Sequence, residues 1–346
     1  DALPIWPIKN DYIENEWWLI KQAHKNNRLY QDKKVMTWCS SCETALAKHE
    51  LEYENVKEGS IFLKFKMKDN QYLVIWTTTP WTIPFNLAVM VNPELDYVKI
   101  KVEDEYWIVA QALVGTFMGA VVNKPYDSIE TFKGKQLEGT RYIHPLADEM
   151  EFCQEGIQIN PDTVHSVILS SEYVDTSAGT GLVHCAPGCG PEDYQVGKQY
   201  GLGAFNLLSE QGHFPDGPYK GKQAKVDDKW FTKHFKEKGA LIASTPVEHE
   251  YAHCWRCHNP VVFRATDQWF FKVEELRDDI IDANNKVNWV PTYGQNAYNS
   301  WIDNLKDNSI TRQRYWGCPV PIWVSEDEDI LVIGSAQELK DLGVDV

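Results

Sequence analysis

The sequence predicts a mixed α/β chain in which a β-rich, barrel-like domain is inserted into a stem with flanking helices. Three observations predict it. Helical texture opens the chain and returns near its end, while short segments of strand length fill the middle. Two C-x-x-C pairs, Cys39-Ser40-Ser41-Cys42 and Cys254-Trp255-Arg256-Cys257, bracket that middle. The boundaries that follow are 1–56 for an N-terminal stem with a helix and the first knuckle, 57–248 for the β-rich domain, and 249–346 for a returning stem with the second knuckle and further helices.

The first helix is expected over 11–30, where Ile13, Trp17, Ile20 and Ala23 recur with helical period and Asp11 and Glu14 have capping-box spacing. After the first knuckle, 55–60 reads as a polar break. From Ile61 the texture turns to strands at 61–67, 72–76, 87–91, 97–102 and 106–110, continued at 164–169 and 182–185. A short helix follows over 191–200, with Pro191 in its first turn and Gly201 where a C-cap falls. Another runs over 228–238 and stops at Gly239. Beyond Glu250 come an extended segment at 261–269, helices near 274–284 and 295–307, and the basic-aromatic turn Arg312-Gln313-Arg314-Tyr315-Trp316-Gly317. A last capping box, Ser335 with Glu338, opens a helix over 335–342.

Four thiolates from two such pairs match the tetrahedral preference of Zn2+, so Cys39, Cys42, Cys254 and Cys257 are expected to share one structural zinc at the root of the insertion. Four thiolates leave no open coordination position, so this zinc is not catalytic. The plainer alternatives are two unrelated turns with buried thiols, or disulfides in a secreted protein. The second needs a secretory signal, and the start Asp1-Ala2-Leu3-Pro4 has none. The absent initiator methionine implies a piece of something longer.

Composition narrows the function classes. The apolar fraction of 43%, with 14 Trp, 16 Tyr and 13 Phe, is that of a globular protein. No apolar run approaches the roughly 18–20 residues that span a bilayer, and no basic amphipathic helix suits a membrane surface. A soluble, cytoplasmic protein is expected. With 34 basic against 50 acidic residues, the overall charge argues against a nucleic-acid binder, DNA included, unless a local basic patch exists.

Two stretches carry the chemistry. Thr77-Thr78-Thr79-Pro80-Trp81-Thr82-Ile83-Pro84-Phe85-Asn86 is a row of hydroxyls between aromatic rings, closed by an amide. Three adjacent threonines need three sets of hydrogen-bond partners, more than a plain core strand supplies. Gly179-Thr180-Gly181-Leu182-Val183-His184-Cys185-Ala186-Pro187 is a glycine turn that delivers a histidine, with Glu192 and Asp193 following at a helix start. Together they read as walls of a pocket for a small polar substrate with an apolar side chain. Each has a bland counterpart: threonines at a strand end, a hydrogen-bonded structural histidine, and carboxylates complementing a helix dipole. A rival site, His184 with Cys185 and Cys189, is disfavoured because adjacent strand residues point to opposite faces.

The same residues resemble the editing insertion of the class I aminoacyl-tRNA synthetases for isoleucine, valine and leucine. Thr77-Thr78-Thr79-Pro80-Trp81-Thr82 is similar to the family's threonine-rich peptide, and the segment from Gly179-Thr180-Gly181 to Asp193-Tyr194 to its second editing motif. His184-Cys185-Ala186-Pro187-Gly188-Cys189-Gly190-Pro191-Glu192-Asp193-Tyr194 looks like the isoleucine branch. Arg264-Ala265-Thr266-Asp267-Gln268-Trp269-Phe270 and the turn at 312–317 resemble its stem and Rossmann-type catalytic domain, so the likeness covers essentially the whole chain.

The resemblance implies an editing domain that hydrolyses the ester of mischarged valyl-tRNA(Ile), with the tRNA(Ile) 3′ end carrying valine as partner. Asp193 is implied to hold the substrate's α-amino group through a charge-assisted bond. His184 is implied to exclude the larger side chain first and to move protons second. Thr77, Thr78 and Thr79 would position water or adenosine, Trp81 would supply an apolar wall, and Asn86 would bind adenosine or orient a threonine. No residue is a strong nucleophile, so direct water attack is expected. The family's ATP-site signatures, an H-I-G-H-like tetrapeptide and a K-M-S-K-S-like loop, do not occur. Lys66-Met67-Lys68-Asp69 falls in a strand and hairpin instead. ATP and Mg2+ thus belong to the full-length enzyme alone, and this piece is not expected to aminoacylate. The alternative is a zinc-stapled tRNA-binding or scaffolding module, inactive outside the complete synthetase.

Overall fold

The first described helix, α1 (Asn10–Lys25), turns Ile13, Trp17, Ile20 and Ala23 to its half-buried side and leaves Trp18 and Leu19 exposed. The computed structural model describes residues 9–149, 160–314 and 317–345, so Tyr315 and Trp316 of the basic-aromatic turn lie outside the described residues, as do Asp1-Ala2-Leu3-Pro4. The expected capping box is absent. Lys9 is the N-cap and makes no side-chain cap bond, which puts Asp11 inside the first turn, where a carboxylate still complements the dipole. The helix stops before residue 30 because Asn27 adopts a left-handed φ of 54°, with Arg28 N–H returning to Ala23 O at 2.8 Å.

The chain divides into two compact units, Asp1–Lys33 with Asp267–Val346, and Lys34–Thr266. The divisions fall inside strands β1 (Leu29–Cys39) and, near the end, Val262–Phe271, so the larger unit holds both knuckles.

In that larger unit, β2 (Thr44–Ala45) pairs antiparallel with the end of β1, setting Trp38 opposite Ala45 and Cys39 opposite Thr44. Strand β3 (Leu51–Lys66) turns at Asp69 and Asn70, both at positive φ, into β4 (Gln71–Thr77). Then come β5 (Ala88–Val91), β6 (Asp96–Val102), β7 (Glu105–Ala110), the short helix α2 (Gln111–Thr116) and β8 (Asp127–Lys133). After them lie β9 (Ser166–Leu169), β10 (Leu182–Cys185), α3 (Pro191–Gln199), α4 (Asp228–Glu237) and β11 (Leu241–Cys254). Six strands form one sheet in the order β11-β3-β4-β7-β6-β8, and three form another in the order β10-β5-β9.

Period-two alternation sorts the six-stranded sheet onto two cores. Ile61, Leu63, Phe65, Leu73 and Ile75 join Val89, Met90 and Leu182 in the large cluster, while Phe62, Val74, Val98, Ile100 and Trp107 pack on Phe117 behind it.

The sheets do not close into a barrel among the described residues. Strand β8 is an exposed edge carrying Asp127, Glu130 and Lys133, the charged kind that discourages further pairing. Residues 55–60 are not a break. They continue β3, pairing from Asn55 opposite Glu250 to Ser60 opposite Thr245. Both faces of this ribbon are largely polar, so no alternation marked it as strand.

In the smaller unit, β12 (Val262–Phe271) ends against β13 (Asn308–Ser309) through Phe270 opposite Ser309. Helices α5 (Arg277–Asn284) and α6 (Tyr293–Asp303), the hairpin β14 (Ile322–Val324) with β15 (Ile330–Val332), and α7 (Ala336–Asp341) complete it. Ser335 caps α7 by accepting from Glu338 N–H, while the Glu338 carboxylate accepts from Gly334 N–H and pairs with Lys21. No described helix is long and apolar enough to cross a membrane.

Candidate functional site

Strand β4 ends at Thr77, and the next residues fold back on themselves. Pro80–Phe85 forms a 3-10 turn with Pro80 preset at its start, and all six of its residues are buried. The hydroxyls of Thr77, Thr79 and Thr82 are satisfied locally. Thr79 N–H donates to Thr77 Oγ1 at 3.1 Å, Thr77 and Thr79 Oγ1 lie 3.1 Å apart, and Thr79 and Thr82 Oγ1 lie 3.2 Å apart. Thr82 Oγ1 donates to Thr79 O at 2.8 Å and sits 3.0 Å from His184 Nε2. A hydroxyl has one proton, and Thr82 has given its own to a carbonyl. With the Thr82 proton assigned to that carbonyl, the imidazole proton is assigned to Nε2, donating to Thr82, and Nδ1 is the acceptor.

His184 arrives on β10, opposite Val89 of β5. The preceding turn requires glycine. At Gly179 (φ 73°) a Cβ would stand 2.9 Å from the Trp76 ring, and at Gly181 (φ 74°) 2.4 Å from the Ala110 Cβ. Burial lowers the His184 pKa to about 4, so the ring is neutral at physiological pH. Its Nδ1 is buried with no hydrogen-bond partner among the described residues, and so is the Trp81 Nε1.

Strand β10 leads through Ala186-Pro187-Gly188-Cys189-Gly190 into α3, where Gly190 is the N-cap and Pro191 the first helical residue. The turn is tight: a Cβ on Gly188 would meet Phe205 O at 1.9 Å. Asp193, in the first turn of α3, accepts from Ala186 N–H through Oδ2 at 2.9 Å. Burial pushes its pKa up to about 6, with Glu192 adding to the rise and the Ala186 N–H opposing it. The carboxyl is ionised at neutral pH, held near the end of the strand that carries His184.

Thr77, Thr79 and His184 thus belong to one hydrogen-bonded chain, and Thr78 stands half-buried beside it. Asn86 and Trp81 do not line an open wall. Asn86 is fully buried, its Nδ2 donating to Ala88 O at 2.8 Å and its Oδ1 accepting from Tyr142 at 2.5 Å. It orients the backbone after the 3-10 turn and, at 0% exposure, presents no accessible amide to adenosine. Trp81 is 2% exposed and meets Phe85 edge-on. Thr82 is the residue that sequence reasoning left unassigned. It stands in the same quoted motif, but nothing in one sequence says that its partner is 102 positions away. Tyr142 and His144 are further supports without a sequence signal. His144 Nε2 bonds Ile83 O at 3.0 Å and its Nδ1 accepts from Leu146 N–H at 3.0 Å, with burial lowering its pKa to about 3.

The thiol rival fails on environment. Cys185 is fully buried, and burial with the nearby Asp193 charge holds its thiol well above the ordinary range, so it is no ready nucleophile. Cys189 is raised in the same way. By contrast, Cys39, Cys42, Cys254 and Cys257 bring their sulfurs within 4.8 Å of one another, none in a disulfide. Cys42 N–H points at Cys39 Sγ at 3.3 Å. This donor set can hold a metal ion.

Comparison with known proteins adds the following. The family model of the class I tRNA synthetases (I, L, M and V) matches residues 4–344. The isoleucine–tRNA ligase of Pyrococcus horikoshii is 48% identical over 99% of this chain and 33% of its own length. That of Methanocaldococcus jannaschii is 42% identical over 97% of this chain and 33% of its own. The chain therefore spans about a third of the length of the curated relatives it matches. Among solved structures, the P. knowlesi cytosolic leucyl-tRNA synthetase editing domain aligns over 56% of this chain and 97% of its own, at 10% identity and a TM-score of 0.39, too loose a likeness to argue from.

Proposed function

Since this chain belongs to the class I tRNA synthetases of the isoleucine, leucine, methionine and valine group, we propose that its site edits tRNA(Ile) by hydrolysing the ester of mischarged valyl-tRNA(Ile). The observation that carries the reading is the linked chain Thr77–Thr79–Thr82–His184, ending in an unpartnered acceptor and flanked by the Asp193 carboxylate. Asp193 has one oxygen committed to Ala186 N–H and offers the other to the substrate's ammonium group. The neutral His184 ring forms a rigid wall that admits valine and refuses the extra methylene of isoleucine. Attractive binding separates the two by only about 1–3 kcal/mol, so exclusion is the stronger device.

Water attacks the ester carbonyl, the acyl–oxygen bond breaks, and valine leaves the tRNA hydroxyl behind. With its pKa near 4, His184 is a weak base. It orients the water through Nδ1 more than it removes a proton, while Thr77 and Thr79 position the remaining polar groups. Cys39, Cys42, Cys254 and Cys257 would hold Zn2+, whose contribution is structural because four thiolates complete its coordination.

The test is hydrolysis of valyl- and isoleucyl-tRNA(Ile) by this chain and by its Asp193→Ala variant. Hydrolysis of the valyl ester alone, lost by about 100-fold or more on substitution, supports the reading. Inertness of the folded, zinc-loaded chain toward both esters would replace it with the binding-module reading.

A further inference from the structure

Helix α4 departs from the charge of the rest of the chain. Against 34 basic and 50 acidic residues overall, residues 220–238 contain seven lysines and three carboxylates. The helix buries Phe231 and Phe235 completely. Lys229, Lys233 and Lys236 recur at helical spacing on the opposite face, and all three are exposed. At 1.5 Å per residue the stripe is about 10 Å long, room for about three phosphates of one strand.

Beside the start of α4 a cleft of about 710 Å³ extends this surface, lined by Lys57, Lys225 and Lys229 with Thr232, Ser244 and Thr245. Two carboxylates also line it, and neither gives it a strong negative field. Glu58 is neutralised by an ion pair to Lys225, which is itself fixed 3.8 Å above the Tyr251 ring. Burial pushes Asp228 up to about 7. The partners of the outer lysines are loose, with Lys57 3.4 Å from Glu248 and Lys233 3.6 Å from Glu237, all well exposed. Such pairs are worth little and yield readily to a polyanion.

The helix itself links this face to the site, through the side opposite the lysines. Helix α4 packs on the Pro80–Phe85 turn, and the Trp81 backbone N–H lies against the Asp228 carboxyl. We propose that the lysine face of α4, with the adjoining cleft, is the docking surface for phosphates of the RNA strand whose 3′ end enters the site. The proposal rests on the editing reading for the identity of the RNA. It accounts for how an acidic chain holds a polyanion, since a local patch concentrates counter-ion exchange where the strand must lie.

The experiment compares the chain with its Lys229→Glu, Lys233→Glu, Lys236→Glu triple variant and the matching glutamine variant, all checked for fold by thermal melting. Binding of uncharged tRNA(Ile) and hydrolysis of valyl-tRNA(Ile) are followed from 50 to 200 mM salt, beside binding of a valyl-adenosine amide that has no phosphate. The expected result is a rise of about 10–100-fold in tRNA Kd and KM for the glutamate variant, less for glutamine, and a log–log salt slope shallower by about two. Affinity for the amide and kcat stay unchanged. An unchanged tRNA Kd and salt slope would overturn the proposal. Binding to phosphatidylserine vesicles is measured alongside, and a loss confined to those vesicles would also overturn the proposal by assigning the patch to a lipid surface. Failure of the editing reading appears separately, as a chain that ignores the valyl-adenosine amide while its tRNA Kd still responds to the lysines.

Discussion

Asp193 combines two demands that pull its pKa in opposite directions. Burial raises it to about 6, whereas an ammonium-binding role needs the ionised form. The consequence is a pH profile. Below the folded pKa the carboxyl is protonated and cannot pair with the substrate, so kcat/KM for valyl-tRNA(Ile) is expected to rise about tenfold per pH unit up to about 6 and then level. Asp193→Asn should be low and flat across that range. An inflection that survives this substitution would assign the titration to another group.

The stability effect has the opposite sign to an ordinary salt-bridged carboxylate. The contribution of Asp193 is fully present below its ordinary value of 3.8 and is lost as pH rises through about 6. Urea unfolding should therefore find Asp193→Asn gaining on the parent between pH 4 and pH 6. His184 and His144, lowered to about 4 and about 3, act the other way. Their contributions are complete above 6.5 and are lost as pH falls.

At the scale of elements, the turn between β10 and α3 decides whether Asp193 is placed at all. Gly188 passes so close to Phe205 O that an added Cβ forces the loop to move. Gly188→Ala is expected to cost about 1–3 kcal/mol of stability and to shift Ala186 N–H off the carboxylate. Its kcat/KM should fall further than its melting temperature suggests. Full activity in this variant would mean that the Ala186 contact does not position Asp193.

The four-cysteine cluster sits at a different element, the root of the β3–β11 ribbon, where Leu51 pairs with Cys254. Cys42→Ser should reduce bound zinc below one per chain by elemental analysis. It should also speed amide exchange at 51–53 and 252–254 while leaving β4 protected. A parent chain that binds no zinc would contradict the structural-zinc assignment.

Elements were legible wherever a side-chain period reported burial. Strand β10 coincides with the expected 182–185, and the glycine stops after α3 and α4 stand at Gly201 and Gly239, both at positive φ. The ribbon at 55–60 was opaque because polar residues on both faces leave no period to read. The N-terminus of α1 misled because capping-box spacing says nothing about which residue first turns helical. Within the site, the threonine row and His184 declared themselves by excess polarity near apolar neighbours. The Thr82–His184 bond, the burial of Asn86 and the His144 support did not, since each depends on a partner brought close only by folding.

Across the molecule, strand count and knuckle spacing were enough to expect a β-rich insertion but not whether its sheet closes. Closure depends on edges, and β8 keeps a charged edge open to solvent. Net charge was similarly blunt: a total of −16 hides a lysine-rich helix that packs directly behind the threonine turn. The site's central claim concerns one contact, between the Asp193 carboxylate and the amino group of a small branched aminoacyl ester. The most direct measurement is calorimetric affinity at pH 7.5 for a non-hydrolysable valyl-adenosine amide and for its analogue lacking the amino group, with the parent chain and Asp193→Ala. The parent should bind the amine-bearing compound at least about 30-fold more tightly, and Asp193→Ala should bind both with the same weak affinity. Equal affinity of the parent for the two compounds, or an amine preference that persists in Asp193→Ala, would contradict the claim.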